Sequence, residues 1–281
     1  MGTLFVVATP IGNLEDVTLR ALRVLREADC VLAEDTRRTR ILLQRHGIAA
    51  RPVSLHAHNE AARTAEVLAR LAAGASVALV SDAGTPLVSD PGERLVAAAA
   101  AEGHAVVPVP GPSAVLAALS ASGLPTCTFT MLGFLPRRAA ERAALLRRFR
   151  ASPDTIVLFE APGRVAATLA SLRDALGERP ACVARELTKL HEEIVRGPLS
   201  ALAQRFAAAP PRGEVTLVVG GAAEPAAGED APPDDAALDR LIRDRVAAGC
   251  SARDVAAELA GTGRMRKRDA YARALRARGE S

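Results

Sequence analysis

Ser81-Asp82-Ala83-Gly84-Thr85-Pro86-Leu87-Val88-Ser89-Asp90-Pro91-Gly92 follows directly on a short apolar run at residues 77–80. An apolar run that short, bounded by turn residues, reads as a buried parallel strand. Two glycines, two prolines and three small hydroxyl residues then force a tight, irregular turn at its carboxyl end. In open α/β sheets that is where ligands bind. A second such turn, Pro108-Val109-Pro110-Gly111-Pro112-Ser113-Ala114, closes the run at 105–109, and a third, Thr9-Pro10-Ile11-Gly12-Asn13, closes the first run at 4–8. Three turns of this kind at three strand ends predict one composite small-molecule site.

Outward from these turns, apolar runs at 4–8, 30–33, 77–80 and 105–109 alternate with helical patterns near 18–28, 36–46, 60–73, 91–102 and 113–121. The alternation predicts an α/β domain with a mostly parallel sheet covered by helices over residues 1–121. Ser122-Gly123-Leu124-Pro125 breaks the pattern, and a second α/β domain is expected over 122–220. Its strands are expected near 155–159, 182–184 and 214–219, and its helices near 138–150, 164–177 and 198–209. Residues 221–234, rich in Gly, Ala, Pro and acidic groups, read as a flexible linker. Residues 235–281 read as a helical tail, with 11 basic against seven acidic residues and Ser251 as an N-cap.

At 281 residues the chain can bury a sizeable core in two domains. Lys and Arg total 36, yet only Lys189 and Lys267 are lysines. Because Arg is used throughout, its abundance is no functional signal by itself. The net charge of +4 is compatible with an acidic partner such as RNA. Cys30, Cys127, Cys182 and Cys250 are widely spaced and lack zinc-ligand spacing, which favours free thiols. His56 and His58 could share a strand face, but no third or fourth ligand accompanies them, so no metal is expected. No apolar stretch reaches membrane-spanning length, and the first residues run straight into a strand with no room for a signal peptide. A cytoplasmic location without membrane contact is expected. Gly261-Thr262-Gly263 follows no strand, and no phosphate-binding Gly-x-x-x-x-Gly-Lys loop exists, so a dinucleotide site and ATP hydrolysis are unsupported.

Several motifs together resemble a known family. These are residues 7–16, Ala33-Glu34-Asp35-Thr36-Arg37, the Ser81-to-Gly92 turn, Gly133-Phe134-Leu135-Pro136, the run from Ala184 to Glu193, and Gly213-Glu214. They resemble the bacterial 16S rRNA cytidine 2′-O-methyltransferases, within the tetrapyrrole-methylase superfamily, which use S-adenosylmethionine (SAM). The resemblance covers about residues 3–220. It implies a two-domain tetrapyrrole-methylase-like fold, a homodimer, and 16S rRNA in the small ribosomal subunit as partner, with a cytidine of the decoding centre as target. It further implies that Asp82, Ala83, Gly84 and Leu87 line the cofactor, that Ser113, Ala114 and Pro10 approach from the other two turns, and that Phe159, Glu160 and Leu187 close the site. Gly163 and Ala57 stand where the family usually has His and Glu.

The run Arg185-Glu186-Leu187-Thr188-Lys189-Leu190-His191-Glu192-Glu193 begins at a strand end. It is either a solvated charged loop or part of the chemistry. Retention of Lys in an Arg-rich chain favours chemistry, because burial can tune a lysine and cannot deprotonate an arginine. Lys189, oriented by Glu186, is the candidate for removing or compensating the proton of a hydroxyl nucleophile. Arg37 and Arg38, Arg137 and Arg138 at the head of a basic helical segment, and Lys267 in the tail are candidate RNA contacts, or simply exposed basic faces. Two other functions share the same cofactor turns: methylation of a tetrapyrrole precursor, and a non-catalytic, SAM-stabilised ribosome-binding protein. The basic helices and tail argue against the first, and the retained Lys189 against the second.

Overall fold

A computed structural model describes residues 2–223, 235–261 and 265–279. Most of the expected linker, 224–234, and Thr262-Gly263 lie outside the described residues. The chain divides into two compact units, Met1–Ala222 and Ala223–Ser281.

The larger unit holds two five-stranded sheets. The first is built from β1 (Thr3–Val7), β2 (Cys30–Ala33), β3 (Val53–Ser54), β4 (Ser76–Val80) and β5 (Ala105–Val109). Their order is β3-β2-β4-β1-β5, and every pairing is parallel. Between them run α1 (Leu19–Glu27), α2 (Thr36–Arg45), α3 (Glu60–Ala72) and α4 (Glu93–Ala101). Side chains alternate across the strands, as a period of two requires. Val31, Ala33, Ala78 and Val80 pack on α1 and α2. Leu32, Val77 and Leu79 pack with Val67, Leu71 and Leu95 of α3 and α4. Burial on both faces is why these strands read as continuous apolar runs.

α5 (Ala114–Ser122) follows β5 and leads to the second sheet. That sheet contains β6 (Phe129–Phe134), β7 (Thr155–Glu160), β8 (Pro180–Arg185), β9 (Glu193–Pro198) and β10 (Val215–Val219), in the order β6-β7-β10-β8-β9. β6 and β7 are parallel, and the other pairings are antiparallel. One face packs on α6 (Ala139–Arg147), α7 (Val165–Leu176) and α8 (Leu199–Ala208) through Ile156, Leu158, Val183 and Leu217. The other face, with Val157, Cys182, Ala184 and Val218, packs on Val115, Ala118 and Leu119 of α5. One face of the uncharged α5 is thus buried by the sheet it precedes, while Leu116 on its other side is exposed. Leu119→Ala would cost about 2–5 kcal/mol.

Helix starts are fixed by side chains. Thr18 accepts from the Ala21 N–H, Asp35 from the Arg37 N–H and Ser113 from the Leu116 N–H. Three strands escaped the sequence reading: β3, β6 and β9. All three are sheet edges.

The smaller unit is helical, with α9 (Asp235–Ala247), α10 (Ala252–Gly261) and α11 (Lys267–Ala277). Leu238, Ile242, Val255, Leu259, Ala270 and Ala274 form its core. Ser251 accepts from the Asp254 N–H at 3.2 Å, as an N-cap should. Arg273 bridges Asp235 and Asp239, and Arg245 pairs with Glu258. No helix among the described residues is long and apolar enough to cross a membrane.

Candidate functional site

The three Pro/Gly turns meet at the carboxyl ends of β1, β4 and β5. Thr9 and Gly84 exchange backbone hydrogen bonds of 2.9 Å in both directions. Thr85 Oγ1 donates to the Pro112 carbonyl at 3.1 Å. Gly84 holds φ +82°, a conformation that costs glycine little and other residues more. Beside this junction lies a cavity of about 430 Å³, within the size range of small-molecule sites. Ile11, Ala83, Gly84, Ser89, Asp90, Ser113 and Ala114 line it from the turns. Phe134, Phe159, Glu160, Gly213, Glu214 and Thr216 line it from the second sheet.

Backbone strain concentrates here. Among the described residues, the non-glycine residues with positive φ are Leu87 (+75°), Ser89 (+70°), Glu186 (+50°) and Thr188 (+65°). The first two lie in the Ser81-to-Gly92 turn and the others in the loop after β8. Each such residue stores of order 1–3 kcal/mol, and such strain clusters where a ligand or a reaction needs a fixed geometry.

The lining is acidic. Asp90, Glu160 and Glu214 are among its lining residues, and no Lys, Arg or His is, but the Glu160 carboxylate is turned away from it onto Thr168 of α7. Glu160 is buried; it accepts from Thr168 Oγ1 at 2.5 Å and from the Ala161 N–H at 2.8 Å, with Arg164 Nε 3.4 Å away. Burial raises the Asp90 carboxyl above its ordinary range, against a hydrogen bond from Ser81, and the Asp82 carboxylate pushes the same way. Glu34 is raised for the same two reasons, with Asp90 adding to Asp82.

The loop after β8 carries Lys189. Its Nζ donates to Glu186 Oε1 at 2.9 Å and to Glu214 Oε2 at 3.0 Å. The Glu214 N–H also donates to Glu186 Oε1 at 2.9 Å. Gly213 makes this possible: a Cβ there would fall 2.1 Å from Glu186 Oε1. The first turn locks the same loop from the other side. The Asn13 N–H donates to Thr188 Oγ1 at 3.0 Å, and a Cβ on Gly12 would lie 2.5 Å from Lys189 Cγ. Burial works to lower the Lys189 pKa, but the hydrogen bonds and charges of Glu186 and Glu214 override it and raise it overall. Glu186 is correspondingly lowered, first by Lys189. At neutral pH Lys189 is therefore a cation, suited to stabilising negative charge rather than to taking up a proton.

Of the residues expected at the cofactor, Ala83, Gly84, Ser113, Ala114, Phe159 and Glu160 line the cavity together. Pro10 and Asp82 face a separate recess of about 60 Å³ beside Arg38. There Asp82 accepts from the Asp35 N–H at 2.7 Å and lies 3.6 Å from Arg38 Nε. Leu87 packs among Leu79, Leu95 and their neighbours, and Leu187 is buried with Ile11 and Val115. Phe134, Ser89, Asp90 and Glu214 were not expected as lining residues. Phe134 and Glu214 belong to the Gly133–Pro136 and Gly213-Glu214 motifs, and nothing in their spacing shows which way they face. His56 and His58 stand edge to face, with ring centroids 6.0 Å apart.

The candidate RNA contacts differ in freedom. Arg37 forks onto Asp35 through two bonds of 3.0 and 2.7 Å. Arg138 meets Glu141 at 3.1 Å on an exposed surface. Arg137 and Lys267 are exposed. Arg142 is not free for phosphates: it donates to the Pro136 and Arg137 carbonyls and to Ser171.

A family model of the tetrapyrrole (corrin/porphyrin) methylases matches residues 3–203. The chain belongs to that family. Among curated methylases, a ribosomal RNA small subunit methyltransferase I from Mesorhizobium japonicum is 48% identical over 97% of this chain and 91% of its own length. A protein of the same name from Thermotoga maritima is 46% identical over 79% of this chain and 99% of its own length. About a fifth of the present chain therefore has no counterpart in that methylase. In fold, the chain resembles a uroporphyrin-III C-methyl transferase from Thermus thermophilus solved with S-adenyl homocysteine. The TM-score is 0.55 at 23% identity, covering 78% of this chain and 97% of the other. This methylase is accordingly a methyltransferase enzyme with the family's two-sheet α/β fold.

Proposed function

We propose that the protein uses SAM to methylate the ribose 2′-hydroxyl of a cytidine in the 16S rRNA of the small ribosomal subunit. The observation that carries the cofactor reading is the charge of the cavity. In a chain with 36 Lys and Arg residues, the lining offers the carboxylates of Asp90 and Glu214 and no cation. Such a lining suits a positively charged ligand and repels a nucleoside triphosphate. The volume of about 430 Å³ fits a ligand of SAM's size. Ala83, Gly84, Ser113 and Ala114 would hold it, with Phe159 across from them and Asp90 in the same turn. When bound, SAM supplies a methyl group on a positively charged sulfur.

The rRNA substrate is supported by the names of the relatives, which cover nearly the whole chain, and by the motif resemblance. The chain's own part in the reaction is positioning and electrostatics. The turns fix one partner, and alignment of this kind accounts for much of the acceleration of such transfers. Lys189 presents an ammonium beside the cavity, where it can favour the ionised form of an approaching hydroxyl. Glu186 and Glu214 hold that ammonium in one direction. The same reading extends to a homodimer in the cytoplasm, on the family resemblance.

The test is incubation with tritiated SAM and either small ribosomal subunits or a tetrapyrrole precursor. Label in ribose of the RNA is the expected result. Label in the macrocycle alone, or SAM binding without transfer to either, overturns it.

A further inference from the structure

We propose that Phe134 is the shelf on which the target nucleobase stacks, and that Arg137 and Arg138 hold the phosphates beside it. The inference rests on the rRNA methyltransferase reading and adds the residues that would receive the nucleotide.

Phe134 is 58% exposed, in a chain with only six phenylalanines, one tyrosine and no tryptophan. It lines the mouth of the cavity. Its ring centroid is 5.7 Å from that of Phe159, at 49°. An aromatic ring left in water beside a ligand cavity is an available stacking surface.

The backbone around it is built to present it. The pairing of β6 with β7 shifts register between Met131 and Phe134, and Gly133 in that interval has φ +62°. Such irregularities re-aim side chains next to active sites. The next residue, Leu135, is buried in the core. The following carbonyls are then pinned. Arg164 Nη2 donates to the Leu135 carbonyl at 3.1 Å, and Arg142 Nη1 donates to those of Pro136 and Arg137 at 3.2 Å each. Two guanidinium groups thus fix three successive carbonyls of one short turn. A turn held this firmly loses little further freedom when it binds.

The same turn ends in Arg137 and Arg138, both exposed. The Arg138–Glu141 pair is solvent-exposed and so weakly held. SAM has no phosphate for these cations; an RNA strand has one on each side of every nucleotide. Sequence-selective enzymes on RNA stack unpaired bases on aromatic rings in this way.

The experiment compares wild-type protein with Phe134→Ala, Phe134→Leu and Phe134→Tyr. It measures KM for small ribosomal subunits, SAM affinity by calorimetry and melting temperature. Loss of one stacked base should raise KM roughly ten- to a hundredfold in Phe134→Ala, with SAM affinity within about threefold and an intact fold. Phe134→Leu should resemble Phe134→Ala, and Phe134→Tyr should resemble wild type. An unchanged KM in Phe134→Ala, full recovery in Phe134→Leu, or a parallel loss of SAM affinity overturns the inference. Wild-type protein that methylates small subunits while Phe134→Ala is unaffected sinks only the shelf. Wild-type protein that binds SAM and does not methylate them sinks the functional reading, and the shelf with it.

Discussion

Gly213→Ala tests whether the Glu186 carboxylate sets the state of Lys189. The new methyl carbon would lie 2.1 Å from Glu186 Oε1 and 2.2 Å from Cδ, so the carboxylate has to leave its place. It then loses the bonds from the Glu214 N–H and from Lys189 Nζ, each 2.9 Å. Gly213 also has φ +82°, which costs alanine roughly 1–2 kcal/mol. Glu186 is partly exposed, so the two lost bonds are discounted to about 1 kcal/mol together. A destabilisation of about 2–3 kcal/mol lowers the melting temperature of a 222-residue unit by roughly 4–12 °C. The chemical effect is separable. With Glu186 displaced, burial lowers the Lys189 pKa against one carboxylate instead of two. A catalytic cation would then be lost at lower pH, and the alkaline limb of kcat should move down. The assay is a pH–rate profile on small subunits with saturating SAM, beside calorimetric SAM titration. An unmoved alkaline limb with kcat near wild type refutes the reasoning, as does a loss confined to SAM affinity.

Lys189→Gln should lower kcat by about 10²–10³ with SAM affinity within about threefold; near-wild-type turnover would make Lys189 structural. Lys189→Arg should also be poor, because Gly12 and Gly213 leave the lysine stem and its carboxylate cage no slack. Since the Lys189 pKa is raised, wild-type kcat should not rise with pH across the ordinary lysine range, and a rise there would restore the general-base role. Gly84→Val should weaken SAM binding at least about tenfold, roughly 1.4 kcal/mol; unchanged calorimetric affinity would remove the cofactor from this turn. A chain ending at Ala222 should keep its SAM affinity yet bind small subunits more weakly. Its salt slope should be shallower by about one unit per lost phosphate contact; an unchanged slope would assign the helical unit some other role.

The sequence made the interior of this fold legible and left its rims obscure. β1, β2 and β4 are buried on both faces, so they stand out as apolar runs. β3, β6 and β9 are edges. A two-residue strand, a strand interrupted at Gly133, and a strand carrying Glu193 and Arg196 give no such run. The three turns around the cavity were legible for a related reason: Gly and Pro are demanded by backbone geometry, which leaves a local signature. Which turn residue faces the cavity was not legible. Asp82 and Gly84 are two apart, yet one caps the β2–α2 turn and the other lines the cleft. The Lys189 cage was half visible. Glu186 is near in sequence, whereas Glu214 reaches Lys189 only because β10 lies beside β8.

Charge is divided in this molecule in a way that composition alone conceals. The cavity is acidic and free of arginine, while Arg137 and Arg138 stand on the turn at its mouth. A cationic methyl donor and a polyanionic acceptor would need opposite surroundings: Asp90 and Glu214 line the cavity, and Arg137 and Arg138 follow its lining residue Phe134 in the turn after β6. Lys189 bonds to Glu214, one of the lining residues. A bare ammonium about 4 Å from a cationic ligand would repel it by about 4 kcal/mol at an effective dielectric constant of 20. Two carboxylates on that ammonium turn the local charge from +1 to −1, so repulsion gives way to attraction. The third N–H of the ammonium stays available to an oxygen that becomes negative during the reaction. On the proposed function, Glu186 and Glu214 would reconcile a cation that the acceptor needs with a cofactor that a naked cation would exclude. On that account the strained φ of Glu186 and the glycine at 213 serve one purpose, placing a carboxylate where the lysine alone would be harmful.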